Sequence, residues 1–144
     1  MKNTTKIIVA AALVLTMLFC IVSCGEKKPA EGLWAAALYT EDTTLGEGAK
    51  TITVSVVHKD GTVRDFVCNT DEEYLGAVLL AEEIVVGEMG EYGLYFDTAD
   101  GETADYSVDG GWWQVFIGEE SATIGADGIA ITDGGVYKLV YTIG

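Results

Sequence analysis

Basic residues, histidine, cysteine and proline are scarce in this chain, and the scarcity excludes several classes of function. Eight Lys and Arg stand against 23 Asp and Glu, a net charge of −15, so a basic footprint for nucleic-acid phosphates is missing. The single histidine, His58, has no cysteine or second histidine near it, which argues against a zinc site or a Ser-His-Asp triad. Because His58 follows a strand pattern and precedes Lys59-Asp60-Gly61, we expect it to be a solvated turn residue.

The first 23 residues have the pattern of a removable secretory signal. Lys2 and Lys6 precede an apolar run over residues 7–19, and small Ser23 stands before Cys24. The run is shorter than the roughly 20 residues that span a bilayer, so an uncleaved anchor is the weaker alternative. The end of the segment resembles a bacterial lipobox, in which the cysteine after the cut is acylated.

This pattern predicts a lipoprotein on the extracytoplasmic side of the cell membrane. We expect a signal peptide over residues 1–23, a lipidated Cys24 that attaches the chain to the bilayer, and a flexible tether over residues 24–32. Residues 33–144 then form one folded domain.

Cys68 is the one cysteine left within this domain. It follows Phe66 at the two-residue spacing of a strand, which favours a small buried hydrophobic residue over a reactive surface thiol.

The periodicity of the domain predicts an α+β fold. Alternating apolar residues over 51–58 and a return strand over 62–68 form a β-hairpin around the turn at 59–61. Thr70 and Glu73 have the spacing of a capping box and open a helix that ends near residue 83 or 84. The remaining expected elements are an apolar leading segment at 33–39, a loop at 41–50, and strands at 93–98, 103–108, 112–117, 120–123 and 136–142.

A hairpin packed on one helix, with later antiparallel strands completing the sheet, indicates a β-grasp-like arrangement. Within it, acidic residues at 97–109 do not keep the spacing of an EF-hand loop, and the glycine-rich segments lack the lysine of a phosphate-binding loop. We therefore expect no metal site and no enzyme activity.

Aromatic residues are concentrated in one stretch of the domain. Trp112 and Trp113 are adjacent, so on a strand they point to opposite faces. Either one of them is exposed and anchors a ligand or partner, or the domain buries aromatic rings on both faces. The stretch consists of Tyr92, Tyr95, Phe96, Tyr106, Trp112, Trp113 and Phe116.

The segments Tyr-Gly-Leu-Tyr at 92–95, Glu-Thr-Ala-Asp-Tyr at 102–106 and the Trp-Gln strand that ends at Gly118 resemble the transcobalamin-like C-terminal domain family. The resemblance covers about residues 33–142 and implies a β-grasp-related domain that closes over one side of cobalamin in vitamin B12 carriers. It implies that the ligand-facing residues are Leu94, Tyr95, Trp112, Trp113, Gln114, Phe116 and Gly125.

The carriers grip cobalamin between this domain and a large helical domain, which this sequence does not contain. We therefore expect a non-catalytic binding module for a corrinoid or a similar amide-rich small molecule, with no other cofactor. The alternative is a structural domain that binds another protein of the cell envelope.

Overall fold

The computed structural model describes residue 39 and residues 41–144. The predicted signal peptide, the lipidated Cys24, the tether and nearly all of the leading segment lie outside the described residues. Within the described residues, no helix is long and apolar enough to cross a membrane.

The described residues fold as an α+β domain with one mixed sheet, one antiparallel sheet and two short α-helices. Its strands are β1 (Thr43–Leu45), β2 (Lys50–Val57), β3 (Val63–Thr70), β4 (Val85–Gly90), β5 (Gly93–Ala99), β6 (Glu102–Thr103), β7 (Gly111–Ile117), β8 (Glu120–Ser121) and β9 (Val136–Ile143). Its helices are α1 (Leu75–Ala81) and α2 (Tyr106–Asp109), and Ala126–Gly128 forms a 3₁₀ turn.

The larger sheet has six strands in the order β1-β3-β2-β9-β7-β8. The β2–β3 pair is the expected antiparallel hairpin, and β9 lies parallel to β2 while β7 runs antiparallel to β9. The smaller sheet contains β4, β5 and β6. This order brings β7, late in the chain, close to β5, so two aromatic segments become neighbours.

The hydrophobic core lies between the large sheet and α1. Ile52, Val54 and Val56 alternate along β2 and are at most 1% exposed, as period-two patterning requires. Leu75 and Leu79 of α1 belong to the same buried cluster. Each such side chain contributes about 1.5–3 kcal/mol through removal of its apolar surface from water.

The helix is shorter than the sequence pattern indicates, and the expected capping box is absent. Thr70 is still paired with Lys50 as the last residue of β3, and its hydroxyl accepts a hydrogen bond from the amide of Glu72 at 3.0 Å. The N-cap of α1 is Tyr74, without a side-chain cap. Pairing in the sheet thus competes successfully with the local capping signal.

The predicted strand at 103–108 is wrong beyond its first residue. Asp105 accepts a hydrogen bond from the amide of Ser107 at 2.9 Å and caps α2, which Gly110 ends in a left-handed conformation. Two strands were not expected at all, β1 within the predicted loop at 41–50 and β4 after the helix.

Candidate functional site

A surface cavity of about 410 Å³ lies where β5, α2, β7 and the loop before the 3₁₀ turn meet. Its walls are mostly aromatic and aliphatic, and they come from segments that are distant in the sequence. The lining residues are Leu94, Tyr95, Phe96, Asp97, Ala104, Tyr106, Gly111, Trp112, Trp113, Val115, Gly125 and Ala126.

The two tryptophans of β7 face opposite ways, as alternation on a strand requires. Trp113 is 7% exposed, and its indole Nε1–H donates to the carbonyl oxygen of Asp97 at 2.9 Å. Trp112 is 37% exposed, and its ring lies 6.3 Å from that of Tyr106. Trp113 therefore lines the buried side of the cavity, and Trp112 lines its solvent-exposed side.

Two glycines allow the far wall to form. The carboxylate of Asp127 accepts a hydrogen bond from the amide of Leu94 at 3.0 Å and joins β5 to the 3₁₀ turn. A Cβ atom at Gly93, where φ is +109°, would approach Asp127 Oδ1 to 2.6 Å, and one at Gly125 would approach the same atom to 2.8 Å. Glycine at both positions thus leaves space for the Asp127 carboxylate, which joins β5 to the 3₁₀ turn.

Five of the seven residues implied by the resemblance line this cavity: Leu94, Tyr95, Trp112, Trp113 and Gly125. Gln114 and Phe116 do not line it. Gln114 donates through Nε2 to Ser121 Oγ at 2.7 Å, and Phe116 pairs with Ser121 of β8 and Lys138 of β9.

The ligand-facing set implied by the resemblance does not include Phe96, Asp97, Ala104 or Tyr106, although all four line the cavity. Phe96 and Tyr106 belong to the aromatic stretch, which was a usable signal. Nothing in the local pattern distinguishes Asp97 from the other acidic residues between 97 and 109.

The expectation that His58 is solvated is wrong. His58 is 2% exposed, and its Nε2 lies 2.9 Å from Asp100 Oδ2 while its Nδ1 lies 3.4 Å from Glu102 Oε1. Arg64 Nε also lies 3.3 Å from Asp100 Oδ2. Buried charges persist where they are paired, and these four side chains form one buried ionic cluster.

The ionic cluster supports the cavity from behind. The His58 ring meets the Trp113 ring edge-on at 6.1 Å, and Trp113 also packs edge-on against Tyr141 at 5.3 Å. Glu102 accepts the amide of Lys59 at 2.9 Å, which ties the hairpin turn to β6. The wall that Trp113 forms therefore packs against polar side chains that do not themselves line the cavity.

Beside the cavity, acidic side chains serve the local structure. Asp109 accepts hydrogen bonds from Lys59 and from the hydroxyl of Tyr141, and the first of these lowers the pKa of Asp109. Burial, followed by the hydrogen bond to Asp109, raises the pKa of Tyr141 to about 12. Among the described residues, no three His, Cys, Asp or Glu side chains are grouped so as to hold a metal ion.

Cys68 is buried and forms no disulfide. Its thiol is 0% exposed, and burial raises its pKa to about 12. A thiol in this environment is a packing group, because the reactive thiolate is suppressed at neutral pH.

No protein-family model and no curated protein matches this chain. Among solved structures, haptocorrin in complex with Cbi aligns at 15% identity and a TM-score of 0.50, over 65% of this chain and 25% of the haptocorrin chain. The domain therefore has a transcobalamin-like fold.

A candidate metal-binding protein from Ruminococcus gnavus ATCC 29149 is much more similar in sequence. It shares 44% identity at a TM-score of 0.63, and the alignment covers 67% of this chain and 99% of the other. This chain belongs to the same family as the R. gnavus protein.

Proposed function

We propose that this protein is an extracytoplasmic lipoprotein, anchored to the cell membrane through Cys24, whose folded domain is a non-catalytic module that binds a small organic molecule. The ligand class is a corrinoid or another flat, amide-rich compound. One observation carries the proposal: the cavity unites Leu94 and Tyr95, Trp112 and Trp113, and Gly125 from three separate segments.

The cavity suits a ligand with an extended apolar face. Its volume of about 410 Å³ falls within the range of about 300–1,000 Å³ that is usual for small-molecule sites. Aromatic side chains form much of the wall, and Asp97 and the segment at Gly125 bring polar groups to it. Such a surface can stack on a planar ring and contact amides at its fringe.

The fold supports the corrinoid class. The haptocorrin structure contains Cbi, and this domain aligns with a quarter of that chain. The strand order β3-β2-β9-β7 supports a β-grasp description of the domain, because β9 lies parallel to β2, the first strand of the hairpin. Since a single small domain covers part of a corrinoid, we expect a dissociation constant between about micromolar and millimolar.

Metal binding, the property in the name of the R. gnavus relative, is not part of the proposal. The buried cluster of His58, Asp100 and Glu102 is the place in the described structure where acidic and histidine ligands come together. Arg64 Nε and His58 Nε2 both approach Asp100 Oδ2, at 3.3 and 2.9 Å, so a guanidinium and an imidazole nitrogen occupy the position where a cation would bind. This donor set does not fit a metal ion.

A second function is favoured by the surface of the smaller sheet. β4 forms one edge of that sheet, and Val86 and Met89 on it are 67% and 61% exposed. Tyr92, at the tip of the β4–β5 hairpin, is 97% exposed. An exposed apolar edge strand can pair with a strand of another envelope protein.

Titration of the full chain with cobinamide and with cobalamin, followed by NMR shift mapping, tests the proposal. We expect shifts confined to residues 93–97, 111–115 and 124–126, and their loss in Trp112→Ala. The matched control is Tyr92→Ala, which removes a more exposed aromatic ring outside the cavity and should leave the shifts unchanged.

Absence of shifts at millimolar corrinoid would refute corrinoid binding by this domain. Shifts that require Tyr92 but not Trp112 would refute the cavity as the binding site and favour the hairpin surface instead.

A further inference from the structure

We infer that the aromatic cavity recognises an organic cation, such as an alkylammonium group carried by the ligand. This inference rests on the proposed function, because it concerns the ligand of the same cavity. It adds the charge of the group that enters the cavity, which neither the fold nor the comparisons specify.

The first support is the arrangement of aromatic rings. Tyr95, Tyr106 and Trp112 line the cavity and are 68%, 71% and 37% exposed, so these side chains are accessible to a ligand. The rings of Tyr106 and Trp112 lie 6.3 Å apart and are inclined by 48°. Aromatic faces carry negative electrostatic potential, and several exposed rings around one space form the usual site for an alkylated ammonium group.

The second support is the charge of the lining. Asp97 is the one acidic or basic residue among the lining residues. Its carboxylate accepts a hydrogen bond from Thr98 Oγ1 at 2.9 Å, and its carbonyl oxygen accepts from Trp113 Nε1. Because Asp97 lines the same cavity as the aromatic rings, a cation bound there would be attracted by its carboxylate as well as by the rings.

The third support is the placement of the basic residues. None of the four Lys and Arg residues in the described part of the chain lines the cavity. Each contacts an oxygen elsewhere: Lys50 meets the carbonyl of Glu72, Lys59 meets Asp109, Arg64 meets Asp100, and Lys138 meets Glu119. The net charge of −15 favours cationic over anionic ligands.

The experiment compares choline with the neutral alcohol in which carbon replaces the choline nitrogen. The two probes have nearly the same shape, so a difference between them isolates the charge. Binding to the full chain is followed by NMR, using the indole N–H signals of Trp112 and Trp113 and the amides of residues 93–97. We expect choline to bind about tenfold tighter than the neutral alcohol, and the difference to shrink as salt is added.

Four variants separate the contributions. Asp97→Asn keeps the shape of the side chain and should reduce the choline preference about threefold, and Glu47→Gln, an exposed charge change away from the cavity, should not alter it. Trp112→Leu should reduce the choline preference, whereas Trp112→Phe should retain most of it because a ring face is preserved.

Equal binding of the two probes would overturn the cation inference while leaving a small-molecule cavity in place. If neither probe shifts the cavity signals but cobinamide does, the inference fails and the proposed function survives. If cobinamide also produces no shift, both fail.

Discussion

At the scale of single residues, the buried ionic cluster makes the clearest prediction. His58→Ala removes one partner from Asp100, whose other oxygen, Oδ1, is buried and has no hydrogen-bond partner among the described residues. We expect the free energy of unfolding to fall by about 3–5 kcal/mol, the usual cost of leaving a buried charge with fewer partners. Denaturant unfolding measures this change.

Lys59→Ala is the matched control for His58→Ala. Its ion pair with Asp109 is partly exposed, with 41% of the lysine side chain accessible, so its loss should cost about 1 kcal/mol or less. Equal losses in the two variants would contradict a stabilising role for the cluster.

The alternation along β2 predicts burial of His58, but the turn residues that follow it led to the opposite expectation. Ile52, Val54 and Val56 point inward, and His58 continues the same parity by two residues. The adjoining turn residues 59–61 suggested exposure, and the acidic partners at 100 and 102 come from a distant turn. The alternation of the strand therefore predicts that the His58 side chain points inward. It does not identify the residues that pair with the buried ring.

Cys68 illustrates the opposite case, because strand parity with Phe66 correctly predicts its burial. We expect slow labelling by a thiol reagent in the native state and fast labelling after unfolding. Cys68→Ser should lower the free energy of unfolding by about 1–3 kcal/mol through poor burial of a hydroxyl, and Cys68→Ala is the control for lost volume. Rapid labelling of the native protein would contradict burial.

The raised pKa of Cys68 also has a direction in pH. Since the folded-state pKa is about 12 against an ordinary value of 9.0, the unfolded chain releases the proton first. The free energy of unfolding should therefore fall as pH rises from about 9 towards 12. The fall should be less steep in Cys68→Ala, which isolates this thiol from Tyr141, whose pKa is also raised.

At the scale of elements, β7 combines a stabilising and a ligand-facing role through alternation. Trp113→Ala should lower the free energy of unfolding by about 3–5 kcal/mol, because it removes a buried ring with its hydrogen bond to Asp97. Trp112→Ala should cost about 1 kcal/mol because its ring is partly exposed. Thermal unfolding of the two variants measures the contrast, and similar losses would contradict the assignment of faces.

The strands that the sequence predicted well are alternating or apolar runs bounded by turn residues. β2, β5, β7 and β9 agree with expectation to within one residue at each end. Pairing between β2 and β3 overrode the capping signal at Thr70, so β3 extends through Thr70 and α1 begins at Leu75. At residues 103–108 the missed signal was itself local, the cap that Asp105 provides to α2. The unexpected β1 pairs with β3 in parallel, a contact that no local pattern encodes.

At the scale of the whole molecule, membrane attachment is a prediction from the sequence alone. Replacing Cys24 with Ala removes the acyl acceptor, so we expect the protein to leave the membrane fraction or to retain its signal. Cell fractionation with mass spectrometry of the N-terminus distinguishes these outcomes. Continued attachment of a processed, lipid-free chain would contradict the lipoprotein assignment.

The lining of the cavity was predictable from the sequence only in part. The aromatic content of the two segments was visible, and five of the seven ligand-facing residues implied by resemblance do line one cavity. Other features of the cavity form only when β5, β7 and the 3₁₀ turn meet. They are the position of Asp97 at the wall, the placement of Tyr106 by α2, and the contact of Asp127 beside Gly93 and Gly125.

The most direct test of the central claim is recovery of the ligand itself. The full-length protein and Trp112→Ala are purified in parallel from native cells, and mass spectrometry identifies small molecules bound to each. We predict that one compound is enriched on the wild-type protein and lost from Trp112→Ala, while Tyr92→Ala retains it. A compound that binds the Trp112→Ala variant equally well would contradict the aromatic cavity as the functional site.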